Sequence, residues 1–190
     1  MAAAPLILLI GISLVSATSR SALDADQWKV FTSAKYHFSV EYPESWYPSD
    51  VTADILDITN FRRSRPDESI ALRVGGAEIQ VTGARSDVHT VYDWIHRDLP
   101  DGAASAEVHQ TDIPIPKPTP GGCTKLTELT WRERVAEGAY FAETSYYCQT
   151  GSDIYKLSLT NWDGDPNQKR HRDLALTMAL SLKVRNREDP

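Results

Sequence analysis

The sequence predicts an α+β protein in which an antiparallel β-sheet carries helices packed on its faces. Apolar residues recur at every second position in six or so segments, which is the period of half-buried strands. Two other segments carry apolar residues at helical spacing, and the last three strand-like segments are joined by short turns. The composition, 41% hydrophobic and 24% charged residues, is that of a globular protein.

The first predicted strand covers residues 36–42, and Pro43 ends it. Its apolar face consists of Tyr36, Phe38, Val40 and Tyr42. Two further strands are predicted from two sets of apolar residues: Leu56, Ile58 and Phe61, and then Ala77, Ile79 and Val81. A weaker strand-like stretch covers residues 69–74.

Residues 126–135, 140–148 and 154–162 are the next three predicted strands. Glu137 and Gly138 form the turn between the first two, and Gly151 and Ser152 form the turn between the last two. Because both connections are short, the three strands should form an antiparallel meander.

A first amphipathic helix is predicted from five apolar residues at helical spacing: Val88, Val91, Tyr92, Ile95 and Leu99. Ser86 or Asp87 is placed to cap its exposed amides, and Pro100 should end it.

A second helix is predicted near the end of the chain. Asp165 can act as its N-cap, with Pro166 at the first helical position and Gln168 placed for a capping box. Residues 174–182 carry too many apolar side chains for a narrow stripe, so we expect the helix to be buried over a wide arc. The proline-rich segment 113–122 should form an extended surface loop leading into the meander.

The amino terminus predicts export. Residues 1–17 contain an apolar core followed by small residues, which is typical of a signal peptide cleaved between Ala17 and Thr18. A retained membrane anchor is the alternative, but roughly a dozen apolar residues fall short of the ~20 that span a bilayer. We therefore expect a periplasmic or extracellular protein without stable membrane insertion. It should have a linker over 18–27, one domain over 28–185 and a tail over 186–190.

Cys123 and Cys148 are the two cysteines of the chain, and export favours a disulfide between them. If the turn of the first hairpin has two residues, however, Cys148 lies opposite Thr127, four positions from Cys123. The bond then requires a bulge, a longer turn, or a fold-back at Gly121 and Gly122. Once formed, it should stabilise the fold by roughly 3 kcal/mol.

The net charge of −6 argues against nucleic acid as a partner. Two basic clusters, residues 62–65 and 169–172, are interpreted as a solvated loop and the polar side of a helix.

The sequence gives no support for a metal site, a cofactor or catalytic residues. His89 and His96 would lie about 10 Å apart along a helix, too far to share one metal ion. Asp163 and Asp165 resemble the start of a calcium loop, but the later acidic ligands are missing, so a turn and helix cap explain them better.

Residues 36–46 carry a family resemblance. The spacing of a tyrosine, a phenylalanine, a Tyr-Pro pair and Trp46 resembles that in the opening strand of PsbP-like proteins of the PsbP/Mog type. Residues 181–184 resemble the segment that ends the last helix of those proteins. The resemblance extends over residues 29–184 and implies an α/β/α sandwich. Pro43 would end the strand and Trp46 would fold back over its apolar face, so that Tyr42, Pro43 and Trp46 form a structural corner.

The resemblance implies a non-catalytic binding or assembly domain, similar to exported bacterial members of unassigned role. Its partner would be an unidentified protein or small ligand, and we expect the chain to be a monomer. Two alternatives stay open: an enzyme, hydrolase-like, whose site is assembled only in three dimensions, and a ligand-free envelope or secreted scaffold.

Overall fold

The structure, a computed structural model, describes residues 27–49, 55–65, 75–83, 88–99, 108–115, 117 and 119–185. Several sequence predictions lie outside these residues. They are the signal peptide with Ala17 and Thr18, residues 18–26 of the linker, the stretch 69–74, the tail 186–190, and Ser86, Asp87 and Pro100.

The main sheet is antiparallel throughout. In the described residues its strands are β3 (Tyr47–Pro48), β4 (Leu56–Thr59), β5 (Ala77–Thr82), β6 (His109–Ile113), β7 (Lys125–Ala136), β8 (Ala139–Thr150) and β9 (Asp153–Trp162). They lie in the order β3-β4-β5-β9-β8-β7-β6. The predicted meander is therefore present as β7, β8 and β9, and β9 joins it to the earlier strands through β5.

A second, smaller sheet has the order β1-β2-β10, with β1 at Trp28–Ser33, β2 at Phe38–Pro43 and β10 at Lys183–Val184. In β2, Phe38 and Val40 are buried as the alternation predicts, while the ring of Tyr42 is partly buried against the same core. The last strand pairs with β2, so the end of the domain returns to its beginning.

The two helices found in the described residues cover opposite faces of the main sheet. Helix α2 (Gln168–Ser181) and the small sheet pack on the face that carries Tyr146 and Cys148, which we call the α2 face. Helix α1 (Val91–Asp98) packs on the other face, the α1 face, against neighbours such as Tyr147. Successive residues of one strand thus enter two different cores, as the period of two requires. The architecture is the α/β/α sandwich that the resemblance implies.

Helix α1 begins later than expected. Its N-cap is Thr90, whose hydroxyl accepts a hydrogen bond from the Asp93 amide at 3.0 Å, while the Asp93 carboxylate accepts one from the Thr90 amide at 3.1 Å. This reciprocal capping box fixes the start of the helix. The predicted apolar face is also wrong at Tyr92, which is 66% exposed; Trp94 is buried in its place.

Helix α2 also begins later than expected, after Asn167. Asp165 is not its N-cap, but the Asp165 carboxylate accepts a hydrogen bond from the Asn167 amide, at 2.8 Å, just before the helix begins. The wide buried arc is present at Leu174, Ala175, Met178 and Ala179, but Leu180 is exposed.

A β-bulge between Arg134 and Ala136 sets the register of the first hairpin. The turn has two residues, yet Cys148 lies opposite Leu126 rather than Thr127, because the bulge adds one residue to β7. The chain before β7 then runs beside β8, since the Thr124 amide donates to the Gln149 carbonyl at 2.8 Å.

This arrangement allows the disulfide between Cys123 and Cys148, whose Cα atoms are 5.2 Å apart. The preceding Gly121 has a φ of 73°, and a Cβ there would lie 2.6 Å from the Val184 carbonyl oxygen, so glycine is required. The interpretation of residues 113–122 as a surface loop is wrong at one end: Ile113 belongs to β6, and Ile113 and Ile115 pack against the core.

Candidate functional site

The predicted corner packs against helix α2. The Trp46 amide donates to the Pro43 carbonyl at 3.1 Å, which turns the chain at the end of β2. The Trp46 side chain is 7% exposed, and its ring lies edge-on to His171 with 5.7 Å between ring centres. Tyr42, Pro43 and Trp46 therefore form part of the scaffold rather than an open binding surface.

Behind this corner, His171 and Asp165 form a buried pair. The His171 Nδ1 atom lies 3.9 Å from Asp165 Oδ2, and neither atom has a hydrogen-bond partner. This distance is too long for a hydrogen bond. Burial lowers the pKa of His171 in spite of the nearby carboxylate, which favours the neutral imidazole. The pair lacks the hydrogen bond by which an acid orients a catalytic histidine.

The first basic cluster differs from the solvated loop that the sequence suggests. Arg63 is largely buried and donates to both carboxylate oxygens of Asp57, at 3.1 and 3.3 Å. It also forms an ion pair with Glu78 at 3.1 Å. Burial opposes the Arg63 charge, but the hydrogen bonds and the two carboxylates outweigh it and raise its pKa. Arg63 therefore anchors the loop that carries the other residues of this cluster.

Above Arg63 lies an open recess of about 520 Å³, which we call the arginine–tyrosine recess. Its lining residues come from β3, β4 and the loop after β4: Tyr47, Pro48, Ser49, Thr59, Arg62, Arg63, Ser64 and Arg65. Tyr47 is 41% exposed, and the Arg62 guanidinium carbon lies 5.7 Å from the centre of its ring. Arg62 and Arg65 are exposed, and neither forms an ion pair with a described residue.

A second recess of about 560 Å³, which we call the α2 cleft, lies on the α2 face beside the start of α2. It is lined by His109, Thr130, Trp131, Arg132, Ala142, Glu143, Thr144, Asp163, Gln168, Lys169 and Arg172. Arg132 is ion-paired with Asp163 at 2.5 Å. Arg172 forms a bidentate pair with the buried Glu128, in which its Nε atom donates to Oε1 at 2.8 Å. The second basic cluster therefore includes a structural arginine.

Glu143, near the middle of β8, is a buried carboxyl that the sequence analysis missed. It is 7% exposed and accepts a hydrogen bond from the Thr160 hydroxyl at 2.8 Å. Burial raises its pKa to about 8 despite that hydrogen bond, and the nearby Glu133 adds to the rise. The sequence signal was weak because a glutamate within a strand is ordinarily assigned to a solvent-facing position.

The histidines are distributed over different parts of the fold. His96 lies on α1, where its ring contacts Tyr92 at 4.0 Å between centres, whereas His109 lies on β6 and lines the α2 cleft. Within the described segments, no three His, Cys, Asp or Glu side chains are close enough to share a metal ion. Neither helix in the described part of the chain has the length and hydrophobicity needed to cross a bilayer.

No family model matches the sequence, and no curated protein matches it. Solved structures do match. A protein of Bacteroides thetaiotaomicron has a TM-score of 0.51 at 16% identity, with 86% of this chain covered; the match spans half of that protein's length. The Ran-binding protein Mog1p of Saccharomyces cerevisiae has a TM-score of 0.50 at 9% identity, with 84% of this chain and 96% of Mog1p covered.

Cyanobacterial PsbP from Synechocystis is also similar, with a TM-score of 0.43 at 13% identity and with 89% of this chain and 99% of that protein covered. The fold assignment depends on the two higher scores and on the strand order described above. The chain has an α+β fold of the type found in Mog1p, as its sequence resemblance implies.

Proposed function

We propose that the mature chain is an exported, non-catalytic binding or assembly domain, and that it docks an acidic segment of a partner protein in the arginine–tyrosine recess. The main support for this proposal is that the exposed Arg62 and Arg65 line the same recess as the exposed Tyr47, on a loop that is held in place from beneath. Tyrosine and arginine are the residue types that most often dominate protein interfaces.

The recess is organised before any partner arrives. Arg63 joins the loop to Asp57 on β4 and Glu78 on β5, two adjacent strands of the main sheet. The Tyr47 ring also restricts Arg62 by a cation–π contact. Such preorganisation lowers the entropy that binding costs.

The charge of the recess indicates the chemistry of the partner. The chain as a whole has a net charge of −6, yet this recess presents two guanidinium groups without carboxylate partners among the described residues. Guanidinium groups bind carboxylates through two parallel hydrogen bonds, so an acidic polypeptide segment fits the site. The opposite charges would also accelerate the encounter of the two proteins.

Export is supported by two independent features. Residues 1–17 have the pattern of a cleavable signal, and Cys123 and Cys148 form a disulfide. Disulfides persist mainly in oxidising compartments. The name of Mog1p states that it binds Ran, and the shared fold is compatible with a binding role here. Fold alone does not select a partner, so the acidic segment is inferred from the recess.

Affinity capture from the organism's own envelope extract tests the proposal. The tagged mature domain and the variant Arg62→Glu/Arg65→Glu would be compared with Arg170→Glu/Arg185→Glu, which makes the same change in net charge at two other exposed arginines. We expect a protein captured by the wild type and by the Arg170/Arg185 variant, but lost in the recess variant and weakened by salt. Equal capture by all three proteins would reject the recess as the docking site, and the absence of any captured protein would favour a scaffold.

A further inference from the structure

Asn60 holds the base of the loop that carries the arginines of the arginine–tyrosine recess, residues 60–65, which we call the recess loop. The Asn60 backbone amide donates to the Ala77 carbonyl at 3.1 Å, and the Asn60 side-chain oxygen accepts a hydrogen bond from the Ala77 amide at 2.8 Å. The side-chain nitrogen donates to the Gly75 carbonyl at 3.0 Å. Three hydrogen bonds therefore join the residue after β4 to the start of β5.

These hydrogen bonds also determine the tautomer of His171 on α2. Because the Asn60 side-chain oxygen already accepts from a backbone amide, the side-chain nitrogen is the atom that faces His171 Nε2, at 3.5 Å. An Nε2 atom that faces a donor has to be an acceptor, so the proton of the neutral ring lies on Nδ1. The closed base of the recess loop therefore requires a neutral His171.

A second partner for the ring lies on its other side. The His171 Nδ1 atom is 3.9 Å from Asp165 Oδ2, and both atoms are buried without a hydrogen-bond partner. A shift of about 1 Å would bring them to hydrogen-bond distance. The ring thus has two arrangements: a neutral one that faces Asn60, and a charged one that binds Asp165 and leaves Asn60.

Asp165 and Arg170 are the charged groups near His171 in the described residues, since the corner contributes Ser45 and Trp46 and the recess loop an amide. Burial lowers the pKa of His171, and Arg170 adds to this effect, although Asp165 acts in the opposite direction. An open loop base relieves the burial. As pH falls below the ordinary value of 6.5, the open form therefore takes up the proton first and gains stability relative to the closed form.

We infer that His171 and Asn60 form an acid-sensitive switch, which keeps the base of the recess loop closed while the ring is neutral and opens it when the ring is protonated. The consequence for docking rests on the proposed function, because the recess loop carries Arg62 and Arg65. Opening the base releases these arginines from their preorganised positions, so binding of an acidic segment should weaken at acid pH.

Amide hydrogen exchange, measured by NMR on the protein alone, tests the switch. From pH 7.5 to pH 5.5 we expect the protection factors of the Asn60 and Ala77 amides to fall several-fold, while those of β8 stay constant. His171→Gln keeps a donor and an acceptor but does not titrate, so its protection should not change with pH. His96→Gln, the control, removes an exposed histidine of α1 and should behave as the wild type.

Two outcomes of the exchange measurement would overturn the inference. The first is constant protection of the Ala77 amide in the wild type. The second is an equal fall in His171→Gln, which would assign the acid response to Glu78, the titrating partner of Arg63.

Asn60→Asp tests the switch even if His171→Gln fails to fold. It keeps an oxygen for the Ala77 amide but places a carboxylate against His171 Nε2, which stabilises the charged ring. We expect the His171 imidazole, followed by NMR, to titrate below pH 6.5 in the wild type and above it in this variant. Titration below pH 6.5 in both proteins would contradict the switch.

Binding of a hexaglutamate peptide at the same two pH values separates the switch from the proposed function. Acidification charges exposed histidines such as His96, so charge alone would strengthen binding at pH 5.5. The switch predicts weaker binding at pH 5.5 in the wild type and not in His171→Gln; stronger binding in the wild type would contradict it. Absence of peptide binding at both pH values would reject the recess as an acidic docking site, whereas the exchange measurement still decides the switch.

Discussion

Trp46 joins the first corner of the domain to helix α2. Its side chain is 7% exposed and contacts His171 on that helix. Truncation of a buried aromatic residue removes apolar contacts and leaves a cavity. We therefore expect Trp46→Ala to lower the free energy of unfolding by about 3 kcal/mol or more, as measured by urea denaturation.

The adjacent Tyr47 provides the control, because it is exposed in the arginine–tyrosine recess. Tyr47→Ala should change the free energy of unfolding by no more than about 0.5 kcal/mol. A similarly small effect of Trp46→Ala would show that the corner is not packed.

Glu143 makes stability depend on pH. Its pKa rises from an ordinary value of 4.5 to about 8 in the folded state. Between these values the unfolded state releases the proton and the folded state retains it, so the free energy of unfolding falls as pH rises. The contribution of Glu143 is complete below pH 4.5 and is lost as pH passes through about 8.

Glu143→Gln keeps a neutral side chain at every pH and should remove this dependence. From pH 5 to pH 8 we expect the free energy of unfolding of the variant to increase relative to that of the wild type, by up to about 1.4 kcal/mol per pH unit. Urea denaturation at a series of pH values measures it. Parallel pH profiles of the two proteins would mean that Glu143 does not titrate as the buried environment requires.

At the scale of elements, the disulfide attaches the start of β7 to the end of β8. It closes a loop across a sequence separation of 25 residues. Replacement of both cysteines by alanine should lower the free energy of unfolding by roughly 3 kcal/mol, mainly because the unfolded chain gains freedom. Mass analysis of the purified, unreduced protein after alkylation should find no free thiol. Alkylation of both cysteines in the folded protein would contradict the bond.

Most buried strands could be predicted from the sequence, because alternation is strongest where one face meets a core. Strand β5 is an example: Ala77, Ile79 and Val81 are fully buried. The strands β1, β3, β6 and β10 were not predicted. They are short or carry largely exposed residues, as in the exposed and polar β6, so their apolar pattern is weak.

The candidate sites were harder to predict, since they depend on register between strands. Arg63 is anchored because Asp57 on β4 and Glu78 on β5 lie close enough to form ion pairs with it. The bulge after Arg134 decides in the same way which residue faces Cys148. Sequence spacing identified the arginine cluster and the cysteine pair, but the partners of each required the folded sheet.

On the scale of the whole molecule, the sandwich separates stability from recognition. The α2 core holds fully buried residues such as Phe38, Leu159 and Met178, and the α1 core adds Trp94 on the opposite face. The two recesses lie apart from these cores, one at β3 and the other beside the start of α2. The arginine–tyrosine recess differs from the rest of a chain of net charge −6, because Arg62 and Arg65 have no carboxylate partner among the described residues.

Site-specific photo-cross-linking in the living cell tests the docking surface most directly. A photoreactive phenylalanine would replace Tyr47, which lines the arginine–tyrosine recess, or Tyr92, which is exposed on α1 and serves as the control. We predict a cross-linked partner with an acidic segment from position 47 and not from position 92, and its loss when Arg62 and Arg65 are changed to glutamate. Cross-links from position 92 alone, or from neither position, would contradict a docking site in this recess.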